Sequence, residues 1–105
     1  MPRPLKAVWI GLVEVVGGRG SDVLSAQKGA CFNALAVAKD LVEFKRHVRS
    51  ALESLQVEFV SVEDAGRFPG NFQVPPKNLK ALTTAAKEAL RTGQVQFTTW
   101  HVYDL

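Results

Sequence analysis

Apolar positions recur along this chain first at every second residue, then with helical spacing, and the two periods alternate from one end to the other. From Leu5 to Val16 the residues are rich in β-branched and aromatic types. Val8, Ile10 and Leu12 fall on one side of an extended backbone and Ala7, Trp9 and Val13 on the other, which predicts a central strand. Gly11 has no side chain to pack, so it marks a bend, a bulge or the close passage of another group. Ala30 to Ala38 sets Cys31, Asn33, Leu35 and Val37 against Phe32 and four alanines. One face of that strand is therefore bulky and the other small enough to take a closely packed helix.

Asp40 followed by Glu43 is a D-x-x-E start signal for that helix. Leu41, Phe44, Val48, Ala51, Leu52 and Leu55 form its apolar stripe, about 100° wide, with Lys45, Arg46, Arg49 and Glu53 outward. Val57 to Glu63 has strand composition. The following RFPGNFQVPP is punctuated by Pro69-Gly70 and Pro75-Pro76, which predicts a turn or hairpin with Phe68 and Phe72 pinned to the domain. Left unpinned, the two aromatics would form an exposed lip suited to docking. A second helix starts with Pro76 in its first turn, buries Leu79, Leu82, Ala85, Ala86, Ala89 and Leu90, and stops at Gly93. The last strand, Gln94 to Tyr103, alternates with Val95, Phe97 and Tyr103 on its core face.

The order ββαβαβ predicts a single α+β domain over residues 1–105: a two-layer α/β sandwich, with a mixed sheet of four to five strands and both helices on one face. In having two helices on one side of about four strands it is similar to ferredoxin-like domains, although the N-terminal hairpin departs from their β-α-β-β-α-β order. That likeness is architectural and covers no motif, so it implies no function.

Composition changes this picture little. A chain of 105 residues buries about 65% of its unfolded surface, enough for an unaided core, and 47% apolar with 22% charged residues is ordinary for a folded soluble domain. A net charge of +3 is compatible with an anionic partner without demanding one. With Cys31 as its sole cysteine the chain forms no internal disulfide, which fits a reducing, cytoplasmic setting. The start, MPRPLK followed by AVWIGLV, resembles a signal peptide until Glu14 interrupts it, and export is not expected. Nothing approaches the ~18 apolar residues of a membrane helix.

Four features could carry chemistry. The first, Gly17 to Gly29, reads as a mobile connection; the alternative is a glycine-rich anion cradle with Arg19 or Lys28, but neither the Walker nor the G-x-G-x-x-G spacing is present. A second is the basic stripe on the later helix, Lys77, Lys80, Lys87 and Arg91, which could join Lys45, Arg46 and Arg49 to follow a phosphate backbone; any soluble amphipathic helix shows such a face. Third, Trp9 and Trp100, with Phe32, could stand on the sheet face away from the helices, where a second copy would cover them. Last comes Cys31 as a nucleophile with His101 or His47 as base and Glu14 or Asp104 as orienter, groups that the sequence alone does not bring together. Buried cysteine is a common core residue, and two distant histidines with one cysteine match no metal-ligand spacing.

These readings favour a small non-catalytic interaction or regulatory protein without cofactor or metal, working through protein–protein contacts as a homodimer. Its weak partner-binding candidates are Trp9, Phe68, Phe72 and Trp100. The alternative is a nucleic-acid-binding module using Lys77, Lys80, Lys87 and Arg91, and an enzyme built on the glycine-rich loop ranks third.

Overall fold

The structure, a computed structural model, describes residues 7–18, 24, 27–68 and 76–105, with the side chains of 76–78 outside the description. Its elements are β1 (Ala7–Val16), β2 (Lys28–Ala38), α1 (Leu41–Glu53), β3 (Glu58–Arg67), α2 (Pro76–Thr92), β4 (Gln96–Phe97) and β5 (His101–Asp104). They make one sheet in the order β3-β1-β2-β4, with β5 continuing along β2. The α+β class, the four to five strands and the two helices are as the sequence predicts.

Two details of the predicted sandwich differ. Every strand pair is antiparallel, so the sheet is not mixed. The β2-α1-β3 crossover does leave β2 and β3 parallel in direction, but β1 lies between them and runs against both. The helices also take opposite faces, giving three layers. Side chains directly opposite each other share a face, so Val13, Val15, Ala30, Phe32, Ala34, Ala36 and Ala38 line one side, and they form a core with Phe44, Val48 and Leu52 of α1. Val8, Ile10 and Leu35 line the other side and pack on Leu82 and Ala86 of α2. Val8 and Ile10 on one face of β1 and Val13 and Val15 on the other are each taken out of water by a helix layer.

Local sequence explains each helix. Asp40 caps α1 by accepting the Glu43 N–H at 2.8 Å, while the buried Glu43 carboxylate accepts the Lys39 N–H at 3.4 Å; a cap of this kind is worth about 1 kcal/mol. Helix α2 ends at Gly93, whose φ of +72° suits glycine and whose N–H bonds to the Ala89 carbonyl. Gly11 marks a close passage: a Cβ there would lie 2.8 Å from Val62 Cγ1 and 3.0 Å from Phe44 Cε2. The apolar stripes are less fully used than their spacing predicts, since Leu41, Leu79 and Leu90 remain exposed.

The predicted final strand is broken in two. β4 pairs Phe97 with Ala34, β5 pairs His101 with Cys31, and the register slips by one between them. Three residues, Thr98 to Trp100, thus oppose two on β2, which defines a β-bulge. Asn33 holds it from both sides: its N–H donates to Thr98 Oγ1 and its carbonyl accepts from the Thr98 N–H, each at 2.9 Å. The extra residue reverses the alternation, so Trp100 lands on the same face as Phe97. There it stacks on Phe32 at 4.4 Å between centroids with 7° between planes.

Candidate binding site on the half-covered sheet face

Among the described residues, helix α2 packs on the Val8, Ile10, Leu35 end of its face. At the other end, register places Ser61, Glu14, Cys31 and His101 side by side in one row across β3, β1, β2 and β5. Glu63, Leu12 and Asn33 form the row on one side of it, and Glu58, Val16, Gly29 and Tyr103 the row on the other. Leu12 is 37% exposed, Glu14 and His101 are exposed, and Cys31 is half-buried. The patch mixes apolar, acidic, thiol and imidazole groups on a rigid sheet.

Tyr103 ties three strands together here. A Cβ on Gly29 would fall 2.5 Å from Tyr103 Cε2, so the phenol ring rests where Gly29 has no side chain. Crossing β2, its hydroxyl donates to Glu14 Oε2 on β1 at 2.8 Å. This hydrogen bond to a carboxylate favours the neutral phenol and raises the Tyr103 pKa above its ordinary value of 10.0, with burial and the Glu14 charge adding in the same direction. The contribution to stability is present below pH 10 and is lost as pH rises through the raised value. Since Tyr103 is the only tyrosine, absorbance at 295 nm reads it alone. Its midpoint is expected above 10.0 and falls in Glu14→Gln; equal midpoints in the two proteins would show that the hydrogen bond does not form.

The thiol candidates meet, though in the wrong order for a relay. Cys31 lies between Glu14 and His101, whereas an orienting carboxylate must reach the imidazole that activates the nucleophile. Glu14 is committed to Tyr103, and Asp104 is ion-paired with Lys28. His47 stands on α1, across the sheet, 3.7 Å from Glu43. Among the described residues no three His, Cys, Asp or Glu side chains come close enough to hold a metal ion.

The remaining candidates separate. Trp9 is half-buried on the α1 side, stacked at 6.3 Å on Phe44, and Trp100 lies on that side as well, so neither stands on an open face. Phe68 is half-buried against the α2-side core, and its N–H donates to the Val8 carbonyl at 2.8 Å. Phe72 and most of the Gly17 to Gly29 loop lie outside the described residues. Lys80, Lys87 and Arg91 are exposed on α2, where Arg91 pairs with Glu88 at 2.6 Å; the Lys77 side chain is outside the description. Lys45, Arg46 and Arg49 belong to α1 on the opposite layer, with Arg49 lying 5.0 Å over the Phe59 ring. The sheet divides the two basic sets, so they do not make one surface.

A recess opens where α2 meets the bulge. It has a volume of about 530 Å³ and is lined by Ala81, Leu82 and Ala85 on one wall and by Asn33, Phe97, Thr98, Thr99 and His101 on the other. Sequence reasoning misses it because the bulge that shapes it is invisible to strand alternation. The nearest signal is the pair Phe97-x-x-Trp100, two large aromatics whose spacing suits one face only if a residue is inserted. No helix among the described residues is long and apolar enough to cross a membrane. No family model, curated protein or solved structure matches the chain, and the functional reading rests on this geometry.

Proposed function

We propose that the protein is a small non-catalytic interaction module that presents the uncovered half of the α2-side face to a protein partner, in the first instance a second copy of itself. The observation that carries this is the half-covered face itself: a rigid patch of mixed polarity, centred on Leu12, Cys31 and Tyr103, beside a helix that stops short of it. Pairing along the β3 edge is less favoured. That edge is interrupted by two register shifts, carries Asp64 at φ +52°, and exposes Glu58, Glu63 and Arg67, all devices that discourage strand addition. A two-fold axis through the patch makes the contact isologous, each copy offering the same residues to the other.

Strand spacing makes the patch roughly 14 Å on a side, so the contact falls in the weak class below about 1,200 Å². Association is accordingly weak and reversible. Cys31 sits at the centre of the proposed contact and is the only thiol, which supplies the test. A short bis-maleimide is expected to join two chains through Cys31, and Leu12→Lys is expected to suppress the product. Failure to cross-link although a monofunctional maleimide labels Cys31 fully would count against this interface. The alternative, nucleic-acid binding on α2, has only Lys80, Lys87 and Arg91 in view, one of them already paired with Glu88. It would be marked by retention on a polyanion column that falls steeply with salt. The single thiol fits a reducing cytoplasm.

A further inference from the structure

We propose that the recess between α2 and the bulge is a binding site for a small amphiphilic carboxylate, a monoanion with an apolar tail. This goes beyond the proposed self-association. The volume, about 530 Å³, lies within the ~300–1,000 Å³ of ligand pockets. It exists because Ala81 and Ala85, one helical turn apart, carry no bulk where a leucine at either position would fill the gap. With Leu82 they form an apolar wall suited to a hydrocarbon tail or a small ring.

The opposite wall supplies donors. Thr98 Oγ1 accepts the Asn33 N–H, which leaves its own hydrogen to donate, and the Asn33 carboxamide, the Thr99 hydroxyl and the His101 imidazole add further N–H and O–H groups. This set matches a group made only of acceptors. Among the described residues neither Asp nor Glu lines the recess, so an ammonium finds no counter-charge from them. Among the described residues neither Lys nor Arg lines it, so there a phosphate dianion meets none of the charged clamps it usually requires. A carboxylate is the oxyanion that neutral donors and one imidazole can satisfy. Its tail lies toward α2 and its head toward Asn33, Thr98, Thr99 and His101.

The test is a titration of the ¹⁵N-labelled full chain with octanoate, and with octanol and octylamine as controls. It is done in the Leu12→Lys background as well as in the natural sequence, so that loss of self-association and loss of binding read separately. Octanoate is expected to shift the Asn33, Thr98, Thr99 and His101 amides saturably and to bind at least tenfold more tightly than octanol or octylamine. Ala81→Leu, placed at an exposed pocket-lining position, is expected to weaken octanoate at least tenfold while the spectrum stays dispersed. Thr99→Val is expected to bring octanoate toward octanol by removing a head-group donor. Equal affinity for all three ligands would overturn the carboxylate assignment. Absence of saturable shifts at millimolar octanoate, or shifts that Ala81→Leu leaves unchanged, would overturn the site.

Discussion

Truncation of Phe44 to alanine is expected to cost about 3–5 kcal/mol of folding stability. Phe44 is fully buried on α1, stacks on Trp9, and has its ring edge where a Cβ on Gly11 would otherwise come within 3.0 Å. It therefore fills the notch that Gly11 leaves in the central strand, and neighbouring strands cannot collapse into the void because their backbones are hydrogen-bonded in register. For a domain of this size each kcal/mol corresponds to roughly 4–8 °C, so Tm is expected to fall by more than about 12 °C or the cooperative transition to vanish. Urea titration followed by far-UV circular dichroism checks this. A loss under about 1 kcal/mol would mean that α1 is not seated on β1 and β2 as described.

Phe32→Ala is expected to be comparably damaging, by about 3–5 kcal/mol, but with a different signature. Phe32 is 1% exposed and carries two aromatics of the last strand, Trp100 stacked at 4.4 Å and Phe97 edge-on at 5.0 Å. β4 has only two residues and β5 four, so this aromatic cluster, more than the short ladder, anchors the end of the chain. Removing Phe32 is expected to loosen the bulge and to speed amide exchange at Thr98 before the rest of the sheet opens. A double-mutant cycle between Phe32 and Trp100 is expected to give a coupling of about 0.5–1.5 kcal/mol. Additivity of the two substitutions would contradict the stack, and with it the reversal of alternation by the bulge.

Legibility of the fold in the sequence follows the range of the interactions. The α1 start at Asp40 and Glu43, the α2 stop at Gly93, the small face of β2 beneath α1 and the close passage at Gly11 all come from residues near one another or from a single helical or strand period. Which helix covers which face is different. It depends on how strands distant in sequence are ordered, and the apolar run of β1, readable on both sides, is consistent with two layers or three. Trp100 is misplaced by alternation because one inserted residue reverses its side, and Trp9 because a half-buried aromatic reads alike on an open face or under a helix. The Glu14, Cys31, His101 row was the least legible: its members are far apart in sequence and become neighbours only through two strand registers. Gly29, the seat of the Tyr103 ring, looks in sequence like the end of a loop.

The central claim is that the uncovered half of the sheet face meets its own copy, and the molar mass in solution tests it most directly. Light scattering on the purified chain is expected to give a mass rising from 11.5 kDa toward twice that value as concentration increases through tens of micromolar, with Leu12→Lys held at the monomer mass while its circular dichroism is unchanged. A mass that stays at 11.5 kDa throughout that range for the natural sequence would contradict it.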